Sequence, residues 1–327
     1  MSFHPSNRNF TASDVLQHSA ELSLHVEAAD ISPSMMETPL FAGRMLIREV
    51  QPGLTITASD ITYLIDEEVV MNIDTSLSCG ILLEGPPEEM LINERHCVRK
   101  RLNSPVLVGY GARSACRWLP SSSRRTVGAG FMIKPVFFDR FADDVSDDGL
   151  ASLRNFLAHG FRTETLPRSL SLAERAKLNL NHPYNGLLAE LFLESNALFL
   201  MTEVADQLKR QHRVVTAIGK HHYNRVMEAR EILDSNLVAP PATLKLARSV
   251  GVNITTLQAN FKIVFDTTIF GYVRRQRLAM GRILLMEHGL SVAEAGKKVG
   301  FSSPSAFAAA YRRQFGHAPT AVRPTVE

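Results

Sequence analysis

The pattern of apolar and polar positions changes twice along this chain. Between Phe41 and Lys134 the apolar residues come in short runs rich in Val, Ile, Leu and Thr. The runs are Phe41 to Val50, Leu54 to Ala58, Cys79 to Glu84, Met90 to Asn93, Pro105 to Tyr110 and Gly128 to Lys134, punctuated by Pro52-Gly53, Gly85-Pro86-Pro87 and Gly109 to Gly111. Such runs between turn formers predict strands, and Leu54 to Ala58 alternates as a half-buried strand should. Many short strands predict a small sandwich or barrel. The preceding residues, 1 to about 40, are polar and irregular with Pro33 and Pro39, and read as a loose arm. From Phe137 to about His212 the spacing turns helical, most strongly from Leu187 to Leu208. The start of that segment, LLAELFLESNALFLM, is apolar around most of its circumference, which predicts burial on two sides. One side would be the strand domain; a second subunit and a plain core position are equal candidates for the other.

Residues 214–220 read as a linker, and Tyr223 to Leu233 as the first helix of a second domain, ending before Asn236 and Pro240-Pro241. Beyond it one pattern is written twice. The first copy carries Ala247, Gly251, Leu257, Phe261, Lys262 and Phe265, and the second carries Gly296, Gly300, Phe307, Tyr311, Arg312 and Phe315, offset by 50 from Leu257 onward. A small residue four before a glycine lets two helices approach, the glycine accepts the turn, and apolar residues at i, i+4 and i+8 give the second helix a buried stripe. This is a doubled helix-turn-helix. Thr243 is expected to cap a helix in the first copy, and Ser291 with Glu294 to form a capping box in the second. The predicted class is α+β: a β-rich barrel or sandwich with helices over 1–213, then an all-α domain with two helix-turn-helix units over 221–327.

Length and charge sharpen this picture. A chain of 327 residues exceeds what one core usually supports. From Lys220 onward there are 15 Lys+Arg against 7 Asp+Glu, while the rest of the chain is acidic. A basic third on an acidic body fits phosphate binding by one domain, and Lys262 and Arg312 each follow the central aromatic of a copy, where a DNA phosphate could meet them. Cys79, Cys97 and Cys116 are scattered and odd in number, which argues for cytosolic thiols rather than a disulfide framework or zinc knuckle. The N-terminus lacks a basic segment followed by an apolar one, and no apolar run approaches a membrane span, so a soluble, cytoplasmic protein is expected.

Enzyme readings find little support. A cupin-type metal site needs histidines two apart on a strand, and His4, His18, His25, His96, His159, His182 and His212 offer no such pair. His221-His222 are adjacent at a helix start, where neighbours face different ways. Neither a phosphate loop nor a nucleophile elbow occurs. No catalytic residue, metal or cofactor is expected.

The strings TLKLARSVGVNITTLQANFKIVF, GYVRRQRLAMGRILL and VGFSSPSAFAAAYRRQFGHAP resemble the AraC family of bacterial transcription regulators, over about 105 residues from His221. The resemblance implies a seven-helix domain whose connecting helix holds two recognition helices about one DNA turn apart, roughly 34 Å. It places Thr255, Gln258 and Ala259 toward bases in the first recognition helix, about Ile254 to Val264. In the second, which starts near Pro304, it places Ser305, Ala308 and Ala309 there. Gln258 can bond adenine twice and Thr255 can meet a thymine methyl, whereas Ala308 and Ala309 offer methyl contact alone. Lys262, Arg312 and Arg313 suit the DNA backbone. Gly296 stands where the family usually has alanine, and Gly281 mid-connector costs about 1 kcal/mol against alanine, which suggests a pliable connector.

CGILLEG (Cys79 to Gly85) and LFLESNAL (Leu191 to Leu198) resemble the branch containing the pyochelin regulator and related siderophore-responsive activators. That resemblance implies a ferric siderophore as effector, with Tyr110, Arg117 and Trp118 as candidate ligand contacts; Trp118 reads equally well as a core residue. The implied partners are promoter DNA, RNA polymerase, a small molecule and a second copy of the chain. Regulation of sugar or aromatic catabolism, and DNA binding without a ligand, are the alternatives.

Overall fold

The computed structural model describes residues 7–25, 36–141, 149–158, 160–286 and 289–321. Parts of the expected arm, including Pro33, lie outside these residues, as do His4 and His159. The chain divides into two units, Met1–Arg210 and Gln211–Glu327.

In the first unit the strands are β1 (Arg8–Thr11), β2 (Leu24–His25), β3 (Pro39–Gln51), β4 (Leu54–Tyr63), β5 (Val69–Ile73), β6 (Ser76–Glu84), β7 (Glu88–Ile92), β8 (His96–Lys100), β9 (Pro105–Tyr110), β10 (Ser114–Trp118), β11 (Arg125–Ile133) and β12 (Phe161–Thr165). The helices are α1 (Ala12–Leu16), α2 (Val136–Asp139), α3 (Gly149–Arg154), α4 (Leu170–Asn181) and most of α5 (Gly186–Ile218), whose last residues belong to the second unit. Seven strands form one sheet in the order β1-β3-β4-β11-β6-β9-β12, and five form another in the order β2-β5-β10-β7-β8. The architecture is a sandwich, and the class is α+β.

The two faces of the larger sheet differ in size of side chain. One set of alternate positions carries Leu54, Ile56, Leu77, Ile81, Phe131 and Ile133, which pack with Leu172 and Ala176 of α4 and Leu193, Leu200 and Val204 of α5. The intervening positions face the smaller sheet. Toward β9 they carry Val106, Val108 and Tyr110, which join Ile73, Ile92, Val98 and Cys116 in a second core. Toward β4, β6 and β11 they carry Thr57, Ser59, Ser78, Gly80 and Gly128, too small to fill the space between sheets that normally stand about 10 Å apart. A cavity of 330 Å³ lies there.

Several expectations need correction. The arm is partly ordered: β1 pairs with β3 in antiparallel register, and Thr11 and Asp14 make a capping box on α1. The strands β5, β8, β10 and β12 escaped the sequence reading, and β12 interrupts the segment read as wholly helical. All four are short, and β8 and β12 are rich in polar residues, as in HCVRK and FRTET, so their alternation is weak. The linker expected over 214–220 is helical as far as Ile218, breaks at Gly219 with φ +83°, and resumes at Lys220.

The second unit holds α6 (Lys220–Ser235), α7 (Thr243–Ser249), α8 (Ile254–Phe265), α9 (Ile269–Met286), α10 (Val292–Lys298), α11 (Pro304–Phe315) and a 3-10 turn at Pro319–Ala321. The doubled pattern builds two small cores. Leu246, Ala247, Val250, Leu257 and Phe261 belong to the first, and Ala295, Val299, Phe307, Ala310 and Tyr311 to the second. Each turn closes alike: Gly251 and Gly300 take φ +70° and +82°, with Val252 N–H donating to Ala247 O at 3.1 Å and Phe301 N–H to Gly296 O at 2.9 Å. These are the six-to-one bonds that end a helix at a left-handed residue.

The recognition helices start at Asn253 and Ser303, whose side chains accept from Thr256 N–H at 2.7 Å and Ala306 N–H at 3.2 Å. The Ser291–Glu294 capping box is present. Thr243 is not a cap: Ala242 precedes α7 without a side-chain bond, and Thr243 is its first helical residue.

Gly281 and Gly296 are explained by Phe307. A Cβ on Gly281 would lie 2.7 Å from the Phe307 ring, and one on Gly296 would lie 3.0 Å from Phe307 Cβ. The first copy has Ala247 and Leu257 at the places of Gly296 and Phe307, so the second trades a smaller residue on one helix for a larger one on the next. Gly281 is thus a seat for an aromatic ring, not a mark of a pliable connector. Gly281→Ala, a substitution that helix propensity alone would favour, is expected to destabilise the second unit by roughly 1–3 kcal/mol through overpacking. Adding Phe307→Leu is expected to recover part of that loss, which urea unfolding of the single and double variants measures.

Candidate nucleic-acid interface and effector cavity

Each recognition helix buries one stripe and leaves another in solvent. On α8, Leu257 and Phe261 are buried while Thr255, Gln258, Ala259 and Lys262 are exposed. Their spacing of i, i+3, i+4 and i+7 puts these four on one face. On α11, Phe307, Ala310 and Tyr311 are buried, Ser305, Ala309 and Arg312 are exposed, and Ala308 is partly covered. Pro304 at the helix start and Arg313 are exposed as well. Every candidate DNA contact from the sequence therefore lies on a presented face except Ala308, which is only partly accessible. The two faces are matched in position and unequal in chemistry: Thr255, Gln258 and Lys262 on one, Ser305 and Arg312 on the other.

A residue that the sequence reading passed over fixes the frame beneath these faces. Arg277, midway along α9, donates from Nε to Leu237 O at 2.7 Å, from Nη2 to Val238 O at 3.0 Å and from Nη1 to Gly300 O at 2.9 Å. The first two carbonyls follow α6 in the first helix-turn-helix region, and the third is in the turn of the second. One planar guanidinium thus joins both regions through the connecting helix, a geometry that a lysine cannot copy. Gly300 is tightly placed, since a Cβ there would meet Val238 O at 3.0 Å and Arg277 Cζ at 3.2 Å. Arg275 adds a bond from Nη2 to Phe265 O at 3.2 Å.

The candidate effector residues do not converge. Tyr110 is buried to 1% exposure, lines the inter-sheet cavity and lies 3.7 Å from Cys116 Sγ through its hydroxyl. Burial, then the Cys116 neighbour, keeps its phenol neutral well beyond the usual range. Trp118 lines a second chamber of 240 Å³. Arg117 lines neither; it bonds Glu68 at 3.3 Å and Glu94 at 3.0 Å. Strand alternation explains the split, because Cys116 and Trp118 share one side of β10 and Arg117 takes the other. The cation at the cavity is Lys100 on β8, a strand whose polar sequence hid it. Among the described residues, no group of three or more His, Cys, Asp or Glu side chains is placed to hold a metal ion. Nor is any described helix long and apolar enough to cross a membrane.

Comparison with known proteins places the chain. Residues 42–218 match the family model of the regulatory protein PchR N-terminal domain, and residues 246–325 match a helix-turn-helix domain model of AraC type. The first match covers more than half of the chain, and the chain belongs to the PchR-type branch of the AraC family of transcription regulators. It is 29% identical over 107 residues to the virulence regulon transcriptional activator VirF of Yersinia enterocolitica, covering 32% of this chain and 40% of that protein. It is 32% identical over 109 residues to the regulatory protein PchR of Pseudomonas aeruginosa, covering 33% and 37%. The match to the HTH-type transcriptional regulator ExsA of the same organism is 23% identical but longer, covering 74% of this chain and 84% of that one. A solved AraC-type regulator from Chromobacterium violaceum is 31% identical, covering 30% of this chain and 88% of its own, with a TM-score of 0.29. The homologues are regulators rather than enzymes.

Arg277→Lys is expected to lower the stability of the second unit by about 2 kcal/mol, because a lysine cannot serve three carbonyls set in a guanidinium's plane. Thermal unfolding at matched pH measures this; an unchanged melting point would remove Arg277 from the frame.

Proposed function

We propose that the protein is a cytoplasmic, effector-responsive activator that binds promoter DNA beside RNA polymerase through α8 and α11. The observation that carries this reading is the pair of matched exposed faces on two capped helices, each backed by its own core. In this reading Thr255, Gln258 and Ala259 meet bases, Ser305, Ala308 and Ala309 make weaker contacts, and Lys262, Arg312 and Arg313 hold phosphates with Pro304 at the helix entry. Direct readout then falls mostly on the first unit, since a bidentate amide discriminates bases and a methyl group scarcely does.

The effector is a small molecule held in the sandwich cavity, and the PchR-type N-terminal domain favours a ferric siderophore controlling iron-uptake genes. Binding would shift populations between poorly and well docked states of the regulator, which requires a different affinity for each.

A homodimer is supported by α5. Leu187, Leu188 and Leu191 are 78%, 56% and 62% exposed on the side of that helix opposite its buried stripe. Three adjacent exposed leucines on one helix are a patch that a second copy of the same face would cover.

Gln258→Ala is expected to lose roughly 1–3 kcal/mol at one base position, whereas Arg312→Ala weakens binding to all sequences and lowers the salt slope by about one. Binding-site selection followed by salt titration separates the two, and an unchanged preference in Gln258→Ala would displace the recognition face. The Leu187→Glu/Leu191→Glu protein is expected to sediment as a monomer where the parent is dimeric. A thermal-shift screen with ferric siderophores, their iron-free forms, sugars and aromatic acids tests the effector. Saturating ligand at a hundredfold excess over Kd adds about 2.7 kcal/mol. Stabilisation by a sugar or aromatic acid instead would point to catabolism, and no response would favour ligand-independent binding.

A further inference from the structure

The hairpin β7–β8 places charge where its pattern calls for apolar residues. Glu88, Met90 and Ile92 lie opposite Lys100, Val98 and His96 in antiparallel register. Met90, Val98 and Ile92 are part of the core between the sheets, so this is the inward side. Glu88 and Lys100 share it. The neighbouring pair, Glu89 and Arg99, takes the outward side, with its side chains 53% and 51% exposed. The inward pair is only 27% and 31% exposed, at 3.2 Å between Lys100 Nζ and Glu88 Oε2.

Lys100 reaches over the larger sheet at a position cleared for it. A Cβ on Gly80 would meet Lys100 Cε at 3.3 Å. The ion pair stands at the junction of the two chambers, since Tyr63, Glu88, Met90, Lys100 and Thr126 line both. Among the described residues lining the inner chamber, Glu88 and Lys100 are the charged ones. The remaining polar groups there stay neutral. Burial, then the Glu88 charge, raises the Tyr63 phenol above its ordinary range, and burial pushes the Cys79 thiol up to about 12.

We propose that the chamber takes a largely apolar anion whose acidic oxygen replaces Glu88 as the partner of Lys100. This deepens, and rests on, the effector reading above. Besides Glu88, the junction holds three groups able to donate: the Lys100 ammonium and the Tyr63 and Thr126 hydroxyls. Lys100 is held by its stem across Gly80, whereas Glu88 opens β7 just after the Gly85-Pro86-Pro87 turn and can swing to water when displaced. An entering anion therefore exchanges one carboxylate for another at the ammonium and leaves no buried charge unpaired. An entering cation would strand Lys100 inside. The volumes of 330 and 240 Å³ suit a compact organic molecule.

The test uses the full chain and two probes of one shape, adamantanecarboxylate and adamantanecarboxamide, followed by calorimetry and by emission of Trp118, the single tryptophan of the chain. The carboxylate is expected to bind about tenfold tighter than the amide. Lys100→Met should erase that preference while keeping amide binding, Lys100→Arg should retain it, and Glu88→Gln should tighten the carboxylate. Retained amide binding shows that Lys100→Met is folded. Equal binding of the two probes to the parent, or undiminished preference in Lys100→Met, overturns the proposal. So does a Lys100→Met protein that keeps its preference and self-associates, which would assign the inward lysine to guarding the edge strand β8. A ferric siderophore that stabilises the parent and Lys100→Met equally would leave the effector reading standing and sink this one. Failure of siderophores and both probes to bind at all would sink both.

Discussion

The second unit depends on fitting one large side chain of each recognition helix against a small residue on the helix before it. Phe307 sits where Gly281 and Gly296 leave no Cβ, and Leu257 shares its core with Ala247. Interiors are close-packed, so the depth of this seat sets how near the helices lie and which way the opposite face points. The exposed faces of α8 and α11 follow from it. Because Thr255 and Ser305, Gln258 and Ala308, and Lys262 and Arg312 are each separated by 50 positions, the same seat presents equivalent positions twice. The scaffold does not depend on the exposed residues, and the two copies carry similar cations, Lys262 and Arg312, but dissimilar residues, Gln258 and Ala308.

The first unit depends on an opposite arrangement, a deliberate shortage of side chain. Large residues on one side of the seven-stranded sheet bind α4 and α5, and that dense core supplies the stability of the domain. The other side can then carry Ser, Thr and Gly without unfolding the sandwich. A space bounded by strands is better pre-organised than one bounded by loops.

What the sequence disclosed follows the same division. The doubled helical pattern was legible to within a residue or two because the turn glycines, the i, i+4 and i+8 apolar stripe and the Ser291–Glu294 box are local signals. The strands with buried faces, β4, β6, β9 and β11, were legible from their apolar runs. The edge strands β8 and β12 were not, since they carry charges on their solvent side and few apolar residues inside. Missing β8 concealed Lys100. Assigning Arg117 and Trp118 to one site failed for a related reason: neighbours on a strand face opposite sides, and only a strand assignment reveals this. Gly281 was visible as an anomaly but not explicable, because its reason, the Phe307 ring, lies 26 positions further along the chain.

Arg277 and Lys100 show how partners separate a structural cation from an exchangeable one. Arg277 donates to three backbone carbonyls whose positions are fixed by the turns they belong to. No small molecule can replace all three at once, and withdrawal of the guanidinium would leave three acceptors short of a donor. Among the described residues Lys100 has one ion-pair partner, the Glu88 carboxylate at the start of a strand, and a cavity lies beside it. Its compact ammonium accepts any anion of suitable reach without a demand for planar geometry. A cation fixed by backbone holds a frame; a cation paired with a single movable side chain at the junction of two chambers is placed for exchange.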